Sequence, residues 1–89
     1  MKIVKMFIQR NCPYCRRALD YWLELKTDGL YEDIELEIID ELIERDLANS
    51  YNYYYVPSIY FQEEKYHEGV LEKKTLIDVL NRINQADEK

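Results

Sequence analysis

The chain has 89 residues, enough for one domain and too few for two. Hydrophobic residues make up 47% and charged ones 34%, a balance that supports a packed globule and argues against disorder. The formal charge of −6 at pH 7 argues against a generic nucleic-acid role, because phosphate backbones reward Lys and Arg. That charge is unevenly spread: residues 1–26 carry a net +4 and residues 27–89 a net −10, and both cysteines lie in the positive part.

The chain's opening residues lack the charged, apolar and small-residue order of a signal peptide, and no apolar run reaches the ~18 residues of a membrane span. A soluble, cytoplasmic monomer is therefore expected. In that compartment a single Cys-x-x-Cys is more often redox-active or metal-binding than structural.

Lys2 to Gln9 is apolar and β-branched, and reads as a buried strand. Pro13 to about Lys26 reads as a helix, with Pro at its first position and Gly29 as its stop. Cys15, Leu19, Trp22 and Leu23 share one face of it. Ile34 to Ile38 alternates strictly and reads as a half-exposed strand. Asp40 is placed to cap a second helix through about Ser50. Ser58 to Gln62 and Lys65 to Glu68 read as a hairpin, although its turn lacks Gly and Asn. Leu76, Ile77, Leu80 and Ile83 give a last helix its apolar face, and the tail Ala86-Asp87-Glu88-Lys89 is expected to fray. The order is β-α-β-α-β-β-α. Two strands joined by a helix imply a parallel pair, and the hairpin adds antiparallel strands, giving an α/β domain over 1–89 with a four-stranded mixed sheet and three helices.

Cys12-Pro13-Tyr14-Cys15 falls where the first strand meets the first helix. Cys12 is expected at the N-cap, where unpaired backbone N–H groups favour a thiolate, the nucleophile of disulfide exchange. Cys15, one turn inside, suits a second, intramolecular attack. Arg10, Arg16 and Arg17 add positive potential. Three plainer readings stand beside this one: a core Cys15 with a surface Cys12, a zinc site drawing on His67, and an iron–sulfur cluster shared between two subunits. A non-catalytic binding module is the competing class of function. Pro57 opens a strand without a ladder N–H to donate, and on the residues alone a trans bond is expected, since only about 5–6% of X–Pro bonds are cis. Tyr51, Tyr53, Tyr54 and Tyr55 crowd the approach to Pro57, some expected to pack and the rest to lie exposed, with Tyr55 the candidate for substrate contact.

The Cys-Pro-Tyr-Cys after a first strand, the Val56-Pro57 pair and Gly69 after the hairpin resemble the glutaredoxin family, and the element order matches across essentially the whole chain. The resemblance implies a thioredoxin fold, a cis Pro57 and thiol–disulfide exchange on protein or low-molecular-weight disulfides, with no bound cofactor and glutathione as reducing co-substrate. A flavoprotein reductase is the alternative electron source. Catalytic Cys12 and Cys15 and substrate-binding Tyr14, Val56, Pro57 and Gly69 carry over. The glutathione pocket departs from the family: Gln9 stands for a Lys, Tyr55 for a Thr, and Leu71 where an Asp would meet the glutathione amine. Arg10 is the candidate to replace the Lys, with Glu68 opposing it.

Overall fold

Strand β1, Lys2–Ile8, is the spine of the sheet, and its C-terminal half is buried on both faces: Met6 and Phe7 are fully enclosed and Ile8 nearly so. The computed structural model describes residues 1–86; of the tail expected to fray, Ala86 instead packs against the main core with its N–H on the Ile83 carbonyl, and residues 87–89 lie outside the described ones. β1 pairs in parallel with β2, Ile34–Asp40, and antiparallel with β3, Ser58–Phe61. β3 in turn pairs antiparallel with β4, Glu64–Glu68, so the sheet order is β2-β1-β3-β4. The element order and the mixed sheet are those expected from the sequence.

Helices α1, Pro13–Thr27, and α3, Lys73–Gln85, cover one face. There Val4, Met6, Ile8 and Ile59 pack with Ala18, Leu25, Leu76 and Leu80. α1 ends through Gly29, whose φ of +77° needs no Cβ penalty; its N–H reaches the Lys26 carbonyl, and Leu30 N–H reaches that of Leu25. The opposite face carries a smaller core of Phe7, Ile39, Tyr60 and Ala48 of α2, Arg45–Asn49, with Tyr51 and Tyr53 against it.

Several local expectations are corrected. Asp40 ends β2 and does not cap a helix: its carboxylate accepts from Leu42 N–H, its carbonyl from Ile43 and Glu44 N–H, and this turn delays α2 to Arg45. On α1 the buried stripe is Cys15, Ala18 and Leu25, whereas Leu23 is exposed, because at about 100° per residue it lies on the far side of the helix from Ala18 and Leu25. On α3 Val79 is buried and Ile77 only partly so. The alternation of β2 breaks at its end: Ile38 is exposed on this edge strand and Ile39 is buried on the other face.

Gln62 forms part of the hairpin turn and not of β3. Gln62 and Glu63 take φ of +52° and +67°, the left-handed pair that a two-residue turn needs to match strand twist. Neither has the residue type that adopts this conformation at low cost. Glu63→Gly is expected to stabilise the fold by about 0.5–1 kcal/mol, after loss of the exposed Tyr51–Glu63 hydrogen bond, read as a higher urea midpoint at unchanged slope. A lower midpoint would show that the side-chain bond outweighs the backbone relief.

Candidate active site

β1 delivers the chain to the start of α1 through a tight turn, closed by Cys12 N–H donating to the Gln9 carbonyl at 3.1 Å. Cys12 is the N-cap, with extended backbone (φ −88°, ψ 116°), and its side chain caps nothing. Its sulfur therefore stays half exposed and available beside the unpaired N–H groups of the first turn. Pro13 takes the first helical position, where a missing N–H loses no bond.

Cys15, one turn on, is 1% exposed and faces the core. Burial pushes its thiol up to about 12 from 9.0; the S–H it donates to Cys12 and the negative charges of Cys12 and Glu41 push the same way, against a Gln9 backbone hydrogen bond. The two thiols thus sit in unequal environments: Cys15, enclosed in the core, holds its proton, and Cys12 lies at the helix rim.

Under this pair lies a network that sequence reasoning missed. Glu41, the residue after β2, accepts from the Gln9 amide and, at 2.6 Å, from the Tyr53 hydroxyl. Burial and the bond to Glu41 raise the Tyr53 phenol, so it stays a donor. Tyr53 is itself fixed by Phe7, ring centroids 5.0 Å apart. Glu41 was expected in the first turn of a helix capped by Asp40, so nothing in its sequence neighbourhood marked it as a site residue.

The Val56–Pro57 bond is cis, as the resemblance implies and the residues alone do not. Backbone groups around it are tied down by side chains from the hairpin. Glu68 accepts from Tyr54 N–H at 2.6 Å and Tyr55 N–H at 3.0 Å, buried Ser58 donates its hydroxyl to the Tyr55 carbonyl, and Gly69 N–H donates to the Pro57 carbonyl at 2.9 Å. Gly69 has φ +96°, and a Cβ there would meet that of Tyr55 at 3.9 Å. Val56 packs against both cores, and Cys12 against the one that contains Cys15.

Of the other predicted residues, Tyr14 and Tyr55 are exposed, whereas Tyr51 and Tyr53 pack on Phe7. Arg10 meets Asp40 at 3.6 Å, and this carboxylate competes for the guanidinium assigned to a substrate. Leu71 is buried in the main core, so no Asp could replace it without burying a charge; the nearest acidic group beyond Gly69 is exposed Glu72, at the N-cap of α3. His67 Nε2 lies 3.2 and 3.0 Å from the Gly69 and Val70 carbonyls, so it carries the donated proton and steadies that turn. Among the described residues no three His, Cys, Asp or Glu side chains converge as a metal site, and no helix is long and apolar enough to cross a membrane.

The sequence matches no protein-family model and no curated protein. Its structure is similar to that of a malarial protein, at 18% identity and a TM-score of 0.72, over 90% of this chain and 93% of that one. It is also similar to the first two thioredoxin domains of Saccharomyces cerevisiae Eps1p, at 21% identity and a TM-score of 0.65, over 91% of this chain and 34% of that chain. The chain spans about a third of the yeast structure. These likenesses establish a thioredoxin-like fold.

Glu68 ties down two backbone N–H groups of the Pro57 loop. Its bond to Lys65 and those from Tyr54 and Tyr55 N–H hold its carboxyl down to about 2 from 4.5. A depressed folded value means that its contribution is complete above pH 4.5 and is lost as pH falls towards 2. Glu68→Ala is expected to speed amide exchange at Tyr54 and Tyr55 by about tenfold or more. Unchanged protection would assign the loop's order to Ser58 and Gly69 instead.

Proposed function

We propose that the protein is a thiol–disulfide oxidoreductase of glutaredoxin type, acting through a Cys12/Cys15 dithiol. The observation that carries this reading is the pairing of a half-buried cysteine at a helix N-cap with a second, fully buried cysteine one turn into the same helix. Cys12 Sγ, as thiolate, attacks a substrate disulfide; that S–S bond breaks, a mixed disulfide forms, and the departing thiolate takes a proton from solvent. Cys15 then gives up its proton, attacks Cys12 Sγ and expels the second substrate thiol. Two electrons pass to the substrate, leaving a Cys12–Cys15 disulfide to be reduced.

Burial of Cys15 suits this order of events. The proton it keeps until Cys12 is engaged prevents it from competing for substrate. A core Cys15 beneath an inert surface thiol, or a thioredoxin-fold binding module, would not require two cysteines one turn apart at the start of this helix.

Glutathione is the proposed reductant, with a flavoprotein reductase as the alternative, and in the cytoplasm either would keep the dithiol reduced. Tyr14, Tyr55, Val56, Pro57 and Gly69 form the sulfur-proximal part of the site in this reading, and exposed Glu72 supplies a charge for the glutathione amine. The carboxylate side is the weak one. The Gln9 amide is already donated to Glu41 and Arg10 to Asp40, leaving both groups held by acids.

Turnover of a glutathione mixed disulfide tests both levels. Cys12→Ser is expected to abolish it, and retained activity would remove Cys12 from the mechanism. Gln9→Lys alone is expected to gain little, because the new ammonium would pair with Glu41. Combined with Glu41→Gln, it is expected to raise kcat/KM for glutathione about tenfold, the worth of one charge-assisted hydrogen bond. Equal gains from the single and double variants would show that Glu41 does not compete for this position.

A further inference from the structure

The charge asymmetry of the sequence becomes local in the fold. A cleft of about 330 Å³ opens on the outer flank of α1, lined by Asn11, Cys12, Pro13, Arg16, Arg17 and Asp20. It contains the sulfur assigned as nucleophile. Both guanidiniums are exposed, and neither has a side-chain partner among the described residues. Six other described cations, Arg10 among them, each meet a carboxylate. Across the site the carboxylates are already engaged, Glu41 by Gln9 and Tyr53 and Glu68 by Lys65 and the Tyr54–Tyr55 backbone, so neither answers Arg16 and Arg17 there. Asp20, at the end of the cleft, is the only carboxylate in its lining.

We propose that this cleft is a specificity site for polypeptide disulfides that carry an acidic residue next to the reacting cysteine, with Arg16 and Arg17 as the residues that select them. The proposal rests on the reading of Cys12 as nucleophile and names the substrate class of that same site. Guanidinium is weakly hydrated and presents a planar fork of donors that matches a carboxylate. An acidic substrate approaching a protein of net charge −6 is repelled by most of its surface and attracted at this cleft, so the field both selects and orients it. A basic flank would be repelled by Arg16 and Arg17 as its sulfur approaches Cys12.

The test is a single-turnover reaction of the pre-reduced protein with three peptides, each carrying one cysteine as a neutral 2-pyridyl disulfide. Their flanking residues are acidic, neutral or basic. Cys12 Sγ attacks the peptide sulfur, the S–S bond to the pyridine breaks, and the electron pair leaves on pyridine-2-thiolate, which takes a solvent proton and is followed by absorbance. Cys15 then displaces the peptide thiol, so the dithiol supplies both electrons and no reductant is needed.

The native protein is expected to react about tenfold faster with the acidic than with the basic peptide, a ratio falling to within about twofold at ~0.5 M salt. Because the readout is a ratio, changes in the intrinsic reactivity of Cys12 cancel. Arg16→Gln with Arg17→Gln is expected to collapse the ratio, and Asp20→Asn, an exposed substitution, to increase it. Pyridinethione release at equal rates from all three peptides would overturn the proposal and leave the redox reading standing, as would a ratio that survives the double Arg substitution. No release from any peptide would overturn the redox reading and the proposal with it.

Discussion

The unequal burial of the two cysteines needs two conditions at once: Cys15 enclosed in an apolar core and Cys12 held at the rim of the same helical turn. Strand β1 supplies the first by ending in Met6, Phe7 and Ile8, each enclosed, so that the chain leaves the sheet from its most buried point. Pro13 and the Cys12–Gln9 turn supply the second by starting α1 immediately. Cys15 then enters the core beside Ala18, and Cys12 remains outside it. A helix beginning one residue later would turn Cys15 by about 100° and bring a different side chain into the core.

The remaining parts of the site are held by the smaller core on the opposite face of the sheet. Phe7, Tyr51, Tyr53 and Tyr60 interlock with centroid separations of 4.8 to 6.5 Å, and the Tyr60 hydroxyl donates to the Asn52 carbonyl at 2.7 Å. These contacts anchor the segment leading to Val56–Pro57, while Glu68, Ser58 and Gly69 satisfy its backbone from the hairpin side. Rigid placement of this kind suits the proposed sulfur-to-sulfur exchange, which depends on precise approach. The same aromatic cluster holds Tyr53 against Glu41.

The fold was legible because its elements are marked by local chemistry. Pro13 and Gly29 bound α1, and β-branched runs mark the strands. The N-cap place of Cys12 and the burial of Cys15 follow from the same spacing. What could not be read was set by tertiary partners. The Asp40 turn shortened α2, Glu41 acquired its role from Gln9 and Tyr53 across 32 and 12 residues of chain, and Glu68 became the anchor of the Pro57 loop. The cis bond was visible through family resemblance and not through the physics of a single Val-Pro pair. Leu71 shows the opposite limit: a position assigned by analogy to a polar role lies in the core, with exposed Glu72 next to it.

The most direct test of the unequal dithiol is intact-mass analysis after exposing single-cysteine variants to a disulfide peptide. Cys15→Ser leaves Cys12 to attack with nothing to expel the bound partner, so one stable peptide adduct on Cys12 is predicted. Cys12→Ser, which leaves only the buried thiol, is predicted to stay unmodified over the same period. An adduct that accumulates on Cys15 in Cys12→Ser, with none on Cys12 in Cys15→Ser, would reverse the assigned roles and contradict the account.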